Sequence, residues 1–554
     1  MDKEYVVTLH NRDDLEQFYN EMQLSNFPLV LKRPLSRNTH YMMTEEQAEQ
    51  LRQDPRVWGV EAVDSFAIRP QVVNNNSYTK SGNFWKDDTI APTTVSVNDF
   101  QWGHLHCAGN QTQRRKGTWG SGAANETVSD TVSVFNDGMH VDVVIVDDPV
   151  SYDCEEWKSP STGLTRFFQY QWFNELNGYV ASIDDDAQTL PTGNITYYQN
   201  SNNPTYHGIH VTGTACGKYY GWAREANIYN MAVTDSWPSG QQVGALLIFD
   251  YLRAFHLNKA VNPVTGKRNP TITNHSYGGI IFMPNDNLTF ADLTSVYYRG
   301  VTYSSGNPPV GGWNQEVVES TFGIKFGVDV YPSYSAAVAA DVQDAIEDGV
   351  VVIGAAGNDN LMMAEVGDSD YNNYMTVSGV GSFYYHRGAW PNSPDSGAIN
   401  VGNLSNYSNF RRAESSMYGP AVDVFAPGTN ILSAFNTDGL SDSKYGGANY
   451  FYPISGTSMA SPQVCGVAAI LASGKERFTQ SDVLRYIKTN SVSGDMTFNS
   501  SGGGFTDPTC QKGSPNLYLR AENPRKTSGQ IGEVKGERKT TGQTFPRVNT
   551  YHQS

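Results

Sequence analysis

Four short apolar runs constrain this chain most: "VDVVIVDD", "ANIYNMAV", "PTITNHSY" and "GVVVIGAAGN". Such runs fit strands buried in a parallel sheet. Helical patterns around 241–257, 334–348 and 458–473 lie between or after them. From about 101 to 495 the alternation therefore predicts α/β layering. With 554 residues, two or more folded units or one large body are expected.

Residues 4–64 read as a separate small unit. "EYVVTLH" is strand-like, and "NRDDLEQFYNEMQ" puts Leu15, Phe18, Tyr19 and Met22 on one helical face. "FPLVLKRPL" and "NTHYMM" are short extended segments. "TEEQAEQLRQDP" opens with Thr44 and Gln47 in capping-box spacing, Pro55 follows it, and "VWGVEAV" is a last strand. The predicted order is β-α-β-β-α-β, a small α+β domain.

The expected boundaries are 1–64 for this unit, 65–97 for a polar linker containing "QVVNNNSYTKSGN", 98–495 for the body, and 496–554 for a Gly-rich loop and low-complexity tail. Within 521–554 six Lys/Arg stand against three Glu, and "RKTSGQ" recurs as "RKTTGQ". A tail of this kind suits anchoring to a larger assembly.

A formal net charge of −17 argues against nucleic-acid binding by the main body. Cys107, Cys154, Cys216, Cys465 and Cys510 are odd in number, widely spaced and free of any Cys-x-x-Cys pair. Free thiols in a reducing compartment are the simpler reading. The N-terminus lacks a basic start followed by an apolar core, and no apolar run approaches the ~18 residues of a membrane span. No signal peptide and no membrane partner are expected, and the location is read as intracellular or virus-associated.

Three segments carry chemistry. "VDVVIVDDPV" ends an apolar strand in Asp147 and Asp148, "YHGIHVTGTACG" sets His207 and His210 around a glycine before a small-residue helix, and "YPISGTSMASPQVCGVAAILASG" places Ser458 at the mouth of an apolar helix. Singly each has an ordinary explanation: a solvated carboxylate, a packed histidine, an N-cap serine. Together they supply acid, base and nucleophile at the ends of three apolar elements. A serine hydroxyl needs an adjacent base. An imidazole serves near neutral pH, and a buried carboxylate holds its tautomer. A helix N-terminus offers the serine's own N–H to an oxyanion. Asn358, ending "GVVVIGAAGN", is a candidate second donor.

"SGTSMASP", "HGIHVTGT", "VIVDD" and "AAGN", in the order Asp, His, Asn, Ser, resemble the subtilisin-like serine proteases. "GWAREANIYNMAV", "HSYGG", "VDVFAPGTNILSA" and "FTQSDVLRYIKTNS" extend the resemblance over roughly 100–495. It implies a three-layer α/β fold with a mainly parallel central sheet. Asp147 would be the orienting acid, His207 the general base, Ser458 the nucleophile and Asn358 the side-chain oxyanion donor. His210 falls on the second, non-catalytic histidine. Ser276, Tyr277 and Gly278 would pair with an extended polypeptide substrate, and Ala355, Ala356 and Gly357 would form the other wall of the primary specificity pocket.

This sequence departs from the family at Asp-Asp-Pro, where Asp-Thr-Gly or Asp-Ser-Gly is usual; Pro149 puts that turn in question. Tyr277 stands where leucine is common. Residues 148–206 and 280–333 are longer than usual connections; the second either extends the substrate surface or, the preferred reading, is a surface loop packed on itself. No cofactor and no catalytic metal are expected. Structural calcium is common in such proteins, but no ligand set can be assigned, and Asp184–Asp186 read as a solvated loop.

The N-terminal unit resembles the propeptide-inhibitor of these proteases, which implies a self-inhibited serine endopeptidase precursor cleaved between about 64 and 97, with the propeptide as a partner in cis. The alternative is a structural or assembly protein, virion-associated, on the same body.

Overall fold

The structure is a computed structural model that describes residues 3–25, 27–31, 36–62, 76–86, 99–114, 127–183, 190–234, 241–406, 411–437, 439–442, 449–475, 477–496 and 513–523. The chain divides into two compact units, Met1–Val72 and Val73–Ser554. Asp184–Asp186, Cys510, the tail beyond 523 and most of the expected linker lie outside the described residues.

The first unit has the order β-α-β-β-α-β. Its antiparallel sheet runs Leu29–Leu31, Asn38–Met43, Lys3–Leu9, Val57–Ala62. The helix Leu15–Leu24 buries Leu15, Phe18, Tyr19 and Met22, as their spacing predicts. Thr44 caps the helix Glu45–Arg52 in a capping box with Gln47.

The second unit is built on nine strands in the order Val492–Ser493, Leu517–Tyr518, Val424–Pro427, Ile399–Leu404, Val351–Ala355, Thr271–His275, Asp142–Asp147, Asn227–Ala232, Phe167–Phe168. All neighbours are parallel except the first pair. Asp142–Asp147, Thr271–His275 and Val351–Ala355 are buried at every residue, which explains the apolar runs of the first and third. In the second, Thr273 Oγ1 donates to Val351 O at 2.9 Å and Asn274 Nδ2 to Ser276 Oγ at 2.8 Å. The helices fall into two packed groups. His207–Cys216 lies against Thr457–Ala472, and Ile248–Asn258 joins Trp172–Ile183 to Ala336–Glu347. This is the three-layer α/β arrangement.

The helix predicted over 241–257 begins only at Ile248, because Val243 N–H is still tied to the Ala232 carbonyl at the strand end. Among the described residues no helix is long and apolar enough to cross a membrane. Cys107, Cys154, Cys216 and Cys465 are buried free thiols.

Three expectations are corrected. Residues 78–85, assigned to the linker, form a strand at the centre of a three-stranded sheet, parallel to Asp99–Gln101 and antiparallel to Thr127–Val134. "YTK" reads as polar, yet Tyr78 and Lys80 are buried; Tyr78 Oη donates to Trp222 O at 2.6 Å and Lys80 Nζ to Gly221 O at 3.1 Å. The body also extends past 495, since Leu517–Tyr518 enters the main sheet and Leu519 and Arg520 are buried. Finally, 280–333 is no self-packed loop. Its Met283, Val296, Phe322 and Tyr331 share a second core with Met363, Met375 and Phe383.

Candidate active site

Asp147 is the last residue of its strand and is 2% exposed. His207 is the first residue of its helix, and its side chain is 31% exposed. The imidazole Nδ1 lies 2.7 Å from Asp147 Oδ1, which also accepts the Asp148 N–H at 2.8 Å. Gly208 permits this approach: a Cβ there would stand 2.4 Å from the Asp148 carbonyl oxygen. Pro149 is accommodated, because the turn needs its carbonyl rather than an N–H. That carbonyl accepts from Asn203 Nδ2 at 2.8 Å, while Asn230 holds the flanking Asp148 carbonyl and Val150 N–H.

Burial pulls the His207 pKa down, but the charge and hydrogen bond of Asp147, with the charge of Asp148, outweigh it and leave it raised. Burial, then the charge of Asp147, raises the Asp148 carboxyl. His210 differs sharply. Burial lowers its pKa to about 3, and its Nε2 bonds the carbonyls of Ile431 and Tyr452, so it is a neutral structural donor. Asp147, Asp148 and His207 bring one ligand atom each to within 4.8 Å of one another, the one such group of three among the described residues. Asp147 Oδ1 is committed to the imidazole and the Asp148 N–H, the arrangement of an acid–base pair.

Ser458 is the second residue of a 16-residue helix buried on every side. Pro462 within this helix has no N–H to give the Ser458 carbonyl, and Ser276 Oγ takes that carbonyl at 3.0 Å. Ser458 Oγ donates in turn to Ser276 O at 3.2 Å, not to His207. The strands place these groups together. His275 pairs with Val146, so Ser276 and Asp147 leave adjacent strands side by side, about 5 Å apart. Rotating the Ser458 side chain off Ser276 frees its hydroxyl for a base.

Asn358 Oδ1 accepts the Thr457 N–H at 2.9 Å and the Thr457 hydroxyl at 3.0 Å. A backbone N–H can only donate, so this bond identifies the oxygen and leaves the amide Nδ2 facing outward. Neither Asn358 Nδ2 nor the Ser458 N–H has a partner among the described residues. Both lie close to one point: a Cβ on Gly456 would stand 3.5 Å from Asn358 Nδ2 and 3.7 Å from Ser458 N. Two unfilled donors around one hollow at a helix N-terminus can receive a developing oxyanion.

The two expected substrate walls are brought together. Ser276 is buried, Gly278 is exposed, and Tyr277 turns its hydroxyl inward to His275 Nδ1 at 3.2 Å. Ala355 and Ala356 are buried and Gly357 is half-buried. Sequence reasoning missed the residue that joins the walls. Asn392 Nδ2 donates to the carbonyls of His275, Tyr277 and Ala355 at 3.2, 3.1 and 3.1 Å. Gly354 leaves room for it, since a Cβ there would stand 1.8 Å from Asn392 Oδ1. Thr457 was missed too, although it sits inside the serine motif.

A profile described as "Subtilase family" matches residues 72–515. Proteinase R of Parengyodontium album is 29% identical over 307 residues, covering 55% of this chain and 54% of that protein. The subtilisin-like serine protease pepC of Aspergillus niger is 26% identical over 394 residues, covering 66% and 58%. The chain thus spans little more than half the length of these relatives. A solved cold-adapted subtilisin-like serine proteinase aligns with a TM-score of 0.40 at 21% identity, over 72% of this chain and 94% of that one.

Proposed function

The chain belongs to the subtilase family, and from that premise we infer that it is a serine endopeptidase acting through an acyl-enzyme. The observation that carries the reading is the Asp147–His207 pair at 2.7 Å beside Ser458, with two unpartnered N–H donors around one hollow. Substrate lies extended along Ser276–Gly278, with its side chain at the cleavage point toward Ala355–Gly357. Ser458 Oγ attacks the scissile carbonyl carbon and passes its proton to His207 Nε2, while Asp147 holds Nδ1–H and balances the imidazolium. The oxyanion rests on Ser458 N–H and Asn358 Nδ2–H. Collapse breaks the C–N bond, His207 protonates the leaving amine, and water then attacks the ester by the same route.

The N-terminal unit is read as a propeptide that makes the precursor self-inhibited. Its α+β order supports this, as does the start of the family match at residue 72, after the unit. The test is labelling by a fluorophosphonate probe. Wild type is expected to label and Ser458→Ala not to; equal labelling, or none in either, sinks the nucleophile assignment. Intact mass of the same pair tests self-processing. If purified Ser458→Ala is shortened as fast as wild type, the cut is made by something else.

A further inference from the structure

The cleft edge does not stop at Gly278. The backbone runs on extended into the strand Ile280–Phe282, which pairs antiparallel with Val330–Pro332 on one side only. The bonding alternates strictly. Asn392 Nδ2 donates to the carbonyls of His275 and Tyr277, Gly279 N–H bonds Trp390 O while its carbonyl accepts the Ser333 N–H, and Met283 N–H bonds Asp329 O. The odd-numbered residues thus face inward. Gly278, Ile280 and Phe282 turn their N–H and C=O groups to the other edge, the edge on which Ser276 O meets Ser458 Oγ. No partner for these groups occurs among the described residues. Ile280 and Phe282 face Pro332 and Val330 at non-bonded positions, and Pro332 has no N–H to give.

This edge is also apolar. Ile280 is 51% and Phe282 68% exposed, two residues apart and on one face. Exposed edges are commonly blunted by lysine, proline or a bulge, and this one carries none of them. Such an edge, continuous with a peptide-binding edge, invites strand addition by an extended chain.

We propose that Gly278–Phe282 is a second stretch of the substrate site, which pairs with the substrate polypeptide remote from the scissile bond and favours apolar side chains there at alternate positions. It lengthens the paired edge beyond Gly278 by about 13 Å. The occupant is the substrate itself, because the edge continues the Ser276–Gly278 cleft without a break in alternation. The proposal rests on the endopeptidase reading given above.

The test compares fluorogenic peptides with identical residues around the cleaved bond. One set is short; the others are lengthened on either side, with valine and leucine, or with aspartate, at alternate remote positions. On one side the long apolar peptide is expected to exceed the short one about tenfold in kcat/KM. That ratio should fall close to one with the aspartate peptides, and in the Ile280→Asp/Phe282→Asp variant, whose thermal midpoint confirms folding. Equal ratios in wild type and variant overturn the proposal. So does a concentration-dependent dimer in sedimentation that the variant abolishes, since the edge would then serve a second copy.

Failure of the endopeptidase reading looks different: the short peptide is not cleaved and the fluorophosphonate does not label Ser458. Anisotropy binding of the same peptides to Ser458→Ala protein then decides. Equal affinity with and without the two edge substitutions rejects the site.

Discussion

Ser276 and Ser458 are bonded twice, each hydroxyl to the other's carbonyl: Ser276 Oγ to Ser458 O at 3.0 Å and Ser458 Oγ to Ser276 O at 3.2 Å. The first bond exists because Pro462 leaves the Ser458 carbonyl without its helical donor. It ties the start of the serine helix to the segment after the strand Thr271–His275, so the proposed nucleophile and the proposed substrate edge are positioned as one piece. Replacing Ser276 by alanine leaves a buried carbonyl unpaired. The expected cost is about 1–3 kcal/mol in unfolding free energy, with a lower kcat, read by urea denaturation and single-turnover kinetics. Restoring the helical donor with Pro462→Ala in that background should recover part of the stability.

Thr457 orients Asn358 through two bonds, one from its backbone and one from its hydroxyl. Asn358→Leu keeps the volume and removes the donor, and kcat should fall by about 10²–10³, a range that itself comes from a subtilisin. KM should change little, because the bond forms only as the oxyanion develops. Thr457→Val keeps the backbone bond and loses the hydroxyl bond, so its kcat should lie between wild type and Asn358→Leu.

The residues easiest to see in the sequence were those whose chemistry is local. Asp147, His207, Asn358 and Ser458 each end, begin or closely follow a recognisable apolar element; in the fold His207 is bonded to Asp147, and Asn358 to Thr457, the neighbour of Ser458. Asn392 gave no such signal, since its meaning lies in three carbonyls contributed by segments distant in the chain. Lys80 misled for the same reason. A lysine among Ser, Thr and Asn reads as solvated linker until the carbonyls of Tyr219 and Gly221 are seen to receive it. Pro462 stood in plain view within "GTSMASP", but its consequence appears only once Ser276 is placed. The β-α-β-β-α-β unit was legible throughout because its helix faces and caps are short-range patterns.

With His207 as the general base of the proposed reaction, its raised pKa should set the acidic limb of activity. General-base catalysis needs neutral imidazole, so activity is lost as pH falls through that value. Asp148 contributes by its charge alone, without a hydrogen bond to the ring. Asp148→Asn should therefore lower the His207 pKa and move the acidic limb of kcat/KM to lower pH, leaving the imidazole–Asp147 bond in place. A limb displaced to higher pH would show that Asp148 acts otherwise.

Asn392 should behave as a residue of the walls rather than of the chemistry. Asn392→Ala removes the donor from three carbonyls, at a cost of about 1–3 kcal/mol in stability, and should raise KM more than it lowers kcat. Asn392→Asp should be worse, because it sets a carboxylate against the same carbonyls. Gly354→Ala drives a methyl into the Asn392 amide and should reproduce the KM effect without touching Asn392 itself. An unchanged KM in all three would separate the two walls from substrate binding.

The strand Tyr78–Trp85 bears on where a processed enzyme begins. It lies between Asp99–Gln101 and Thr127–Val134, with Tyr78 and Lys80 bonded to the backbone at 219–222. Removing it would expose two strands and strand the buried carbonyls of Tyr219, Gly221 and Trp222, each at a cost of about 1–3 kcal/mol. The mature chain is therefore expected to start before Tyr78, which narrows the window read from sequence. N-terminal sequencing of the processed protein checks this, and a start beyond Trp85 would refute it. Lys80→Ala should lower the stability of the mature enzyme by about 2–3 kcal/mol, seen as a shifted denaturation midpoint, because a charged donor to buried carbonyls is lost from the body itself.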